Sequence, residues 1–398
     1  MRVIVQKYGG SSVSDFNKIK KIAQKVASVA DKDTGVVVVV SAMGKTTNQF
    51  IEMAKEISDN PPRREMDMLL STGERITMSL LCMALSELGV DSISLTGSQC
   101  GIITDDRHNN ARIIEVRPFR VQDEIAKGKV VVVGGFQGVS YKRDITTLGR
   151  GGSDTTAVAL AAALNAEKCE IYSNIDGVYT ADPAVVDEAK HLPEVPYQQM
   201  QEMSSNGATI LNSQAVQFAK EKNIAIYARS TFKPGNETVI RNFPPGIPKG
   251  VLAVVYEKNI IKVHFNSKDE ESFKNLLKEL ESEQIQIKEL NYSLSEKDKH
   301  SCSFIISPKN SYGWGKMEEK LKSDYDDKLH FEKDYSTLSL IGEGLNKDNS
   351  ILIDIINLLK EKSINILSIS TTSYRISILV KKTDLEKSVK LCHKKWIE

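Results

Sequence analysis

A glycine-rich segment, TLGRGGSDTT at residues 147–156, constrains the fold of this chain more than any other feature. Four valines at residues 130–133 precede it, and the helix-forming run AVALAAAL at residues 157–164 follows it. Its three glycines let the backbone adopt positive φ and approach a ligand closely. The helix is expected to begin at a cap formed by Ser153 or Asp154, so that its free N–H groups point into the loop. The segment therefore predicts a strand, an anion-binding loop and a helix.

Two charged residues of this segment indicate what the loop binds. The planar guanidinium of Arg150 suits a carboxylate, because it can donate two parallel hydrogen bonds. Asp154 fits an anion site only if it holds a metal, a lysine or an amine. Together the two residues favour a zwitterionic or a magnesium–phosphate ligand. The alternative is a glycine-rich turn that only packs a strand against a helix.

Strand and helix patterns alternate over the first 230 residues or so. The run GVVVVVS at residues 35–41 is typical of a parallel strand buried on both faces. Apolar spacing from Phe16 to Val26 predicts a helix capped by Ser14, and a helix at residues 65–88 is expected to break near Gly73. This alternation predicts an α/β domain with a mostly parallel sheet and ligand sites after the strands. Further strands are predicted at residues 2–8, 91–96, 129–133, 168–174 and 224–229, and further helices at residues 116–127 and 212–222.

The composition changes near residues 234–249, where prolines and glycines predict a linker. The lysine-rich remainder repeats one order of elements, strand–helix–strand–strand–helix, in two units of about 60–70 residues. The predicted strands are at residues 260–265, 285–290, 300–306, 337–341, 366–370 and 374–380, and the helices at residues 269–282, 315–322, 350–362 and 384–395. Modules of this length are typical of small regulatory domains.

Charge and cysteine content exclude several classes of function. The net charge is +1, so no basic excess indicates nucleic acid or an anionic membrane as a partner. The five cysteines are scattered and odd in number, as expected of reduced thiols in a cytoplasmic protein. The first residues enter a strand without a signal-peptide pattern, and no apolar run is expected to span a membrane. The six histidines form no metal-binding motif, so no metal ligand is predicted.

Three further motifs carry chemistry. The sequence KYGGSS at residues 7–12 places a lysine at a strand end before paired glycines, which suits a phosphate cradle with Lys7 on the transferring group. Glu74, in the sequence STGER, is placed to hold a substrate ammonium or to form a helix salt bridge. Asp176, in DGVYTAD, follows a strand and is placed beside an adenine and ribose or in a simple turn. The GKT sequence at residues 44–46 lacks the first glycine of a P-loop.

Taken together, these motifs resemble aspartate kinase of the monofunctional bacterial type with two C-terminal ACT domains. The resemblance includes SAMG at residues 41–44 and GFQG at residues 135–138, and it covers essentially the whole chain. It implies an α/β amino-acid kinase fold, a mostly parallel sheet between helices, followed by two βαββα ferredoxin-like ACT domains. The domains expected are a catalytic domain at 1–245 and ACT domains at 246–333 and 334–398.

The resemblance implies transfer of the ATP γ-phosphoryl group to the β-carboxylate of L-aspartate, with Mg²⁺ accompanying the nucleotide. The product, 4-phospho-L-aspartate, leads to lysine, threonine and methionine. The catalytic residues implied are Lys7, which stabilises the transferring phosphoryl group, and Asp154, which orients Lys7 and the substrate amine. The substrate residues implied are Thr47, Glu74, Arg150, Gly151, Gly152 and Ser153. The ATP residues implied are Lys7, Tyr8, Gly9, Gly10, Ser11, Ser41, Ser173, Asn174, Asp176, Tyr179 and Asp182.

Three positions in the kinase part depart from the family pattern. Asn174 stands where an aspartate is usual, Ala184 where an arginine is common and Thr209 where a nucleotide-contacting lysine is expected. Because two cations are missing near a triphosphate, weaker ATP binding or a slower reaction is expected. A charge-assisted contact is worth roughly 1.5–3 kcal/mol.

The ACT part departs further. The loops at residues 266–271 and 344–350 lack the Pro-Gly pair whose backbone binds an amino-acid effector, and Tyr292 and Ser293 replace a Gln-Asn pair. The resemblance implies lysine or threonine as effector and a homo-oligomer formed through ACT domains. The departures predict that feedback by the effector is weak or altered. Three alternatives stay open: an ACT pair that serves dimerisation only, a kinase acting on acetylglutamate, glutamate or UMP, and a catalytically weak regulatory subunit.

Overall fold

The computed structural model of the chain describes residues 1–31, 33–233, 235–242, 250–294, 300–310 and 313–398. These residues form two compact units. The first takes its residues from Met1–Tyr179, His191–Ser205 and Thr209–Ile247, and the second from Thr180–Lys190, Asn206–Ala208 and Pro248–Glu398. The domain boundary predicted between residues 245 and 246 lies outside the described residues, and so does half of the predicted linker, residue 234 and residues 243–249. Its described part contains a strand, Glu237–Arg241, where only a linker was predicted.

The first unit contains fourteen strands and eight helices among its described residues. The strands are β1 (Arg2–Tyr8), β2 (Thr34–Val40), β3 (Ser92–Leu95), β4 (Ile102–Thr104), β5 (Ile113–Val116), β6 (Val130–Gly134), β7 (Gln137–Ser140), β8 (Ile145–Thr147), β9 (Lys168–Ser173), β10 (Val178–Tyr179), β11 (His191–Leu192), β12 (Glu194–Pro196), β13 (Ile226–Ser230) and β14 (Glu237–Arg241). The helices are α1 (Phe16–Ala27), α2 (Thr46–Ile57), α3 (Arg63–Leu70), α4 (Thr72–Ser86), α5 (Phe119–Ala126), α6 (Gly152–Ala163), α7 (Tyr197–Ser205) and α8 (Ser213–Lys222).

An eight-stranded sheet in the order β12-β14-β13-β9-β1-β2-β6-β3 organises this unit. Only the β13–β14 pair is antiparallel within that sheet, which confirms the predicted mostly parallel sheet. Every residue of β2 is buried, as its valine run predicted. Val36, Val38 and Val40 pack against α1 and α4, and α6 contacts β1, β2 and β9.

Smaller strands were not predicted. A second sheet has the order β5-β4-β7-β8, and β10 pairs with β11. The predicted helix at residues 116–127 is wrong at its start, because residues Ile113–Val116 form β5 and the helix begins only at Phe119. Pro118 explains the boundary, since a proline disfavours helical backbone in the residue before it.

The cap of α1 also differs from the prediction. Asp15, rather than Ser14, caps this helix, and its carboxylate accepts the N–H of Lys18 at 3.0 Å. The predicted apolar face is correct, since Ile19 and Val26 are buried. A carboxylate at this position also interacts favourably with the helix dipole.

The break predicted near Gly73 separates α3 from α4 at Ser71. A Cβ at position 73 would lie 2.8 Å from the Cβ of Ala42, so glycine permits the close approach of α4 to the end of β2. By length and composition, the stretch Arg63–Ser86 is apolar enough to cross a membrane, which the sequence reading did not anticipate. In the structure, buried residues such as Met66 and Leu81 pack part of this stretch into the first unit, and other residues such as Met83 are exposed.

The second unit contains ten described strands and α-helices. These are β15 (Gly250–Ser267), α9 (Glu270–Ser282), β16 (Ile287–Leu294), β17 (His300–Ile306), α10 (Trp314–Tyr325), β18 (Leu329–Glu343), α11 (Ser350–Glu361), β19 (Ser368–Thr372), β20 (Arg375–Lys381) and α12 (Leu385–Trp396). Single 3₁₀ turns lie at Pro308–Asn310, Asp326–Lys328 and Lys382–Asp384. The order strand–helix–strand–strand–helix occurs twice, as predicted.

One antiparallel sheet, in the order β16-β17-β15-β18-β20-β19, joins both halves of the second unit. The long central strands pair along their length, residues 250–257 with 337–343 and residues 260–265 with 329–335. Each half has its own hydrophobic cluster. We keep the domain ranges 1–245, 246–333 and 334–398 as a proposal, and note that residues 250–257 pair with the second of the two predicted ACT domains.

Candidate active site

Loops that follow the carboxyl ends of β1 and β2 meet at one edge of the large sheet. The N–H of Ser41 donates to the carbonyl of Tyr8 at 3.1 Å, and that of Gly44 donates to the carbonyl of Gly10 at 3.0 Å. A Cβ at position 10 would lie 2.9 Å from the carbonyl oxygen of Ala42, so the two loops pack too closely for a larger residue. This contact fixes the KYGG backbone beside the end of β2.

Lys7 and Asp154 form an ion pair at this edge, with 2.6 Å between Nζ and Oδ1. Their side chains are only 12% and 9% exposed. The sequence allowed a metal, a lysine or an amine as the partner of Asp154, and in the structure the partner is a lysine. An ion pair this shielded from water is screened little by salt. The arrangement fixes an ammonium group beside Gly9, whose Cβ position lies 3.5 Å from the Lys7 Nζ.

The start of α6 differs from the predicted cap. Gly151, with φ of 72°, occupies the cap position, and neither Ser153 nor Asp154 caps the helix. Both residues instead lie in the buried first turn of α6. Within this turn the N–H of Gly152 donates to the carbonyl of Gly149 at 3.1 Å, and that of Asp154 donates to the carbonyl of Gly151 at 3.0 Å. The helix dipole still favours an anion at this end.

Asn212 holds the glycine loop, and sequence reasoning missed this role. Its side chain caps α8 and also donates to the carbonyl of Arg150 at 2.7 Å. A Cβ at position 151 would lie 2.6 Å from the Asn212 amide nitrogen. The available signal was an asparagine directly before the predicted helix at residues 212–222, but its long-range partner has no sequence signature.

Glu74 is a buried carboxylate in the first turn of α4. Its Oε1 accepts the N–H of Ala42 at 3.0 Å, and its Oε2 is buried with no hydrogen-bond partner among the described residues. Burial raises the pKa of Glu74 from 4.5 to about 7, although the hydrogen bond from Ala42 opposes the shift. Glu74 therefore bonds a backbone N–H group and does not form the helix salt bridge that the sequence also allowed. An unpaired oxygen of this kind is placed to meet a cation.

The remaining predicted substrate residues lie on the same loops. Ser153 is buried, and a Cβ on Gly135 would lie 2.9 Å from its Cβ. Thr47 is half-buried in the first turn of α2, and Gly152 begins α6. Arg150 is exposed on the loop. The structure thus brings segments from β1, α2, α4 and α6 of the first unit together.

The nucleoside residues predicted after β9 form a hydrogen-bonded loop. Asp176 accepts from the hydroxyl of Tyr179 at 2.8 Å and from the amide of Asn236 at 3.3 Å. The hydroxyl of Ser173 bonds both backbone groups of Ile175. A cavity of about 530 Å³ lies beside Asn236, lined also by Tyr172, Arg229 and Phe232.

Two predicted nucleotide residues lie in unexpected surroundings. The ring of Tyr8 is fully buried and stacks on Tyr172 at 4.9 Å, so only the backbone of Tyr8 is available to a ligand. Asp182 belongs to the second unit, where it accepts from the hydroxyl of Tyr256 at 2.7 Å and from the N–H of Ala184 at 2.9 Å. Asn174 and Ser11 are exposed.

Comparison with known proteins identifies the family. The sequence model of the amino acid kinase family matches residues 2–230, and that of an ACT domain matches residues 330–394. The aspartokinase of Mycolicibacterium smegmatis is 39% identical over 402 residues, which cover 99% of this chain and 96% of the relative. The chain belongs to the aspartokinase family. Aspartokinase 2 of Bacillus subtilis strain 168 is 38% identical over 402 residues, covering 99% of this chain and 97% of the relative.

Solved aspartokinases have the same fold. The R-state structure of Escherichia coli aspartokinase III, in complex with aspartate and ADP, aligns with a TM-score of 0.82 at 23% identity and covers both chains completely. The predicted resemblance to aspartate kinase and the predicted fold class are therefore confirmed. In the aspartokinase described here, the Lys7–Asp154 pair lies within the part matched by the kinase family. The part matched by the ACT domain covers nearly all of the segment from β18 to α12.

Proposed function

We propose that this aspartokinase transfers the γ-phosphoryl group of MgATP to the β-carboxylate of L-aspartate, as the first step towards lysine, threonine and methionine, in the cytoplasm. The shielded Lys7–Asp154 pair, at the meeting point of the β1 loop and the start of α6, carries the proposal. Phosphoryl transfer needs positioning and charge neutralisation rather than a covalent protein group. An ammonium group held by a carboxylate at the start of a helix, where the helix dipole favours an anion, supplies both.

Lys7 stabilises the charge on the transferring phosphoryl group, and Asp154 keeps its ammonium in place. Gly9, Gly10, Ser11 and Ser41 line the phosphates, with the Tyr8 backbone among them. Ser173, Asn174, Asp176 and Tyr179 are the proposed nucleoside residues of the first unit, supported for Asp176 and Tyr179 by their mutual hydrogen bond. The nucleoside role of Asp182, which belongs to the second unit, stays a prediction from the family resemblance. The aspartokinase III structure with aspartate and ADP agrees with this choice of ligands.

Magnesium fits this site as a companion of the nucleotide. Among the residues that the structure describes, no three His, Cys, Asp or Glu side chains come together as a metal cage. Mg²⁺ is commonly held by substrate phosphates and water with few protein ligands. When bound, it neutralises charge on the phosphates, and the chain's own residues orient the acceptor carboxylate.

Aspartate is held at three charged points. Arg150 binds its α-carboxylate, Glu74 its ammonium group, and Asp154 assists the ammonium group. Thr47, Ser153, Gly151 and Gly152 complete the pocket. The buried Oε2 of Glu74, which has no partner among the described residues, supports this assignment because an ionised carboxylate there needs a cation.

The raised pKa of Glu74 makes aspartate binding dependent on pH. Below a pH of about 7 the carboxyl group is protonated and no longer pairs with an ammonium group. We expect kcat/KM for aspartate to fall up to about tenfold for each pH unit below that value. Steady-state rates from pH 5.5 to 8.5 measure this, and the Glu74→Gln variant serves as control. A Gln variant with an unchanged pH profile would contradict the assignment.

The same pKa predicts a change in stability. Because the folded state binds this proton more tightly than the unfolded chain does, the free energy of unfolding falls as pH rises from 4.5 to about 7 and stays lower above it. The full shift corresponds to roughly 3 kcal/mol. Ligand-free Glu74→Gln is therefore expected to unfold at a higher temperature than the parent protein at pH 8, and the difference is expected to be much smaller at pH 5.

Thr209 stands where the family has a lysine, so restoring a lysine there is expected to increase the affinity for ATP. Thr209 is exposed in the first unit, so a longer side chain has room. We expect Thr209→Lys to lower KM for ATP about tenfold, because a charge-assisted contact contributes roughly 1.5–3 kcal/mol. Thr209→Gln adds length without charge and should leave KM unchanged. Equal effects of the two variants would show that charge is not the missing element.

The ACT loops support weak or altered feedback by lysine or threonine. In the first loop, the side chain of Asp269 accepts the N–H groups of Glu271 and Ser272, at 3.0 and 3.2 Å. In the second, Asp348 accepts the N–H of Ser350 at 2.9 Å. These three N–H groups are therefore already bonded and are not available to an effector. Isothermal titration is expected to give no micromolar binding of either amino acid, and light scattering is expected to give a homodimer or larger assembly.

The direct test of the proposed function traps the acyl phosphate with hydroxylamine. Colour formation is expected only with ATP, magnesium and L-aspartate present together, and not with glutamate or acetylglutamate as acceptor. UMP forms no acyl phosphate, so for this acceptor the absence of ADP release is the expected result. Folded protein that binds an amino acid but forms no hydroxamate at millimolar ATP would instead indicate a regulatory subunit.

A further inference from the structure

A buried carboxylate on α3 has no role in the site described above. Asp67 lies between Met66 and Leu70, which belong to a hydrophobic cluster, and it is fully buried. A buried charge is costly unless hydrogen bonds compensate it. The groups that donate hydrogen bonds to Asp67 therefore show which segments this carboxylate holds in place.

The donors come from two segments far away in sequence. Nδ1 of His108 lies 2.7 Å from Oδ2 of Asp67, and the N–H of Asn109 donates to both oxygens, at 3.0 and 3.2 Å. The hydroxyl of Thr147, at the end of β8, donates to Oδ1 at 2.5 Å. One carboxylate thus joins α3, the segment around residue 108 and the strand that leads into the glycine loop.

The two joined segments also contact each other beside the glycine loop. The N–H of Ala111 donates to the carbonyl of Thr147 at 2.9 Å. Gly149, with φ of 72°, packs so closely on Asn110 that a Cβ at position 149 would lie 2.9 Å from its Oδ1. The backbone that enters Arg150 is therefore confined between this segment and the start of α6.

We propose that Asp67, together with His108, Asn109 and Thr147, is a positioning network that places Arg150 for the substrate carboxylate. The inference rests on the proposed function, because it names residues that act through the proposed aspartate ligand. None of the hydrogen bonds described above joins the network to the Lys7–Asp154 pair or to the Asp176 loop. Its loss therefore changes the affinity for aspartate and leaves the affinity for ATP unchanged.

Adjacent threonines of β8 provide a matched test. Thr146 and Thr147 are both fully buried, and each makes one side-chain hydrogen bond to another side chain, Thr146 to Thr104 at 2.6 Å and Thr147 to Asp67. Thr147→Val is expected to raise KM for aspartate about tenfold or more, because a hydrogen bond to a charged group is lost. Thr146→Val should change KM for aspartate by less than about twofold, although its melting temperature should fall about as much as that of Thr147→Val. Thr147→Ser, which keeps the hydroxyl, should restore the parent value.

Two readouts separate this inference from the proposed function. Initial rates give KM for aspartate, KM for ATP and kcat, and calorimetric titration with L-aspartate gives a Kd that needs no turnover. Asp67→Asn should weaken aspartate binding in the same way. Equal shifts in the two valine variants, or parallel changes in both KM values, would overturn the network. A parent protein that binds aspartate without turnover would refute only the kinase, and one that binds no aspartate would refute both.

Discussion

Replacing Lys7 with alanine is expected to lower kcat about 10²–10³-fold, which is the usual cost of removing one preorganised group that stabilises charge in the transition state. The Lys7 ammonium is fixed 2.6 Å from Asp154, and both side chains are largely shielded from water. Shielding strengthens the electrostatic effect on a transferring phosphoryl group. Lys7→Arg should recover little, because a planar guanidinium cannot occupy the place of a compact ammonium.

The measurement is hydroxamate formation at saturating MgATP and aspartate. Asp154→Asn is expected to lose activity as well, because the lysine then lacks its charged partner. Lys129→Ala is the matched control: this lysine pairs with Glu124 at 3.0 Å and precedes the amino end of β6, at the opposite edge of the same sheet. A Lys7→Ala protein that is folded and keeps more than about a tenth of the parent kcat would exclude the proposed role.

Replacing Arg150 with alanine is expected to raise KM for aspartate about a hundredfold with a smaller effect on KM for ATP. Loss of a charge-assisted contact between a guanidinium and a carboxylate costs roughly 1.5–3 kcal/mol, and the upper value corresponds to about a hundredfold. Arg150→Lys should recover only part of this affinity, because an ammonium group cannot donate two parallel bonds. The carbonyl of Arg150 is held by Asn212, so the backbone should keep its place in these variants.

Arg117→Ala serves as the control for Arg150, since Arg117 is an exposed arginine paired with Glu115 at 2.5 Å. It should change neither KM value. Competition by succinate, which lacks the ammonium group, and by β-alanine, which lacks the α-carboxylate, distinguishes the two contacts. Only succinate should bind less well to Arg150→Ala than to the parent protein. Equal loss for both analogues would place Arg150 elsewhere in the site.

The fold was largely predictable because its main elements have strong local signals. The valine runs of β2 and β6 are buried on both faces, which only a sheet covered by helices provides. The errors have local causes too. Pro118 divides a predicted helix, and the short strands β10 and β11 are too brief to leave a periodic pattern.

Residues of the candidate site could be proposed from the sequence where one segment carries several of them. Lys7, Gly9, Gly10 and the residues of the glycine loop were all named from short motifs. Asn212 and Asp67 were not, because each acts through a partner 62 to 80 residues away in the chain. Such a contact leaves no trace in local spacing. Tyr8 was assigned to the nucleotide with its motif, although its ring stacks in the core.

By itself, the sequence determined the α/β alternation, the repeated ACT order, the glycine loop and, through its motifs, the family. These features are local, because backbone preference and apolar spacing act over a few residues. Only the tertiary structure decided that Asp154 pairs with Lys7, that Gly151 begins α6 and that burial raises the pKa of Glu74 to about 7. Charge pairing and desolvation depend on which groups surround a side chain in space, and folding alone brings those groups together.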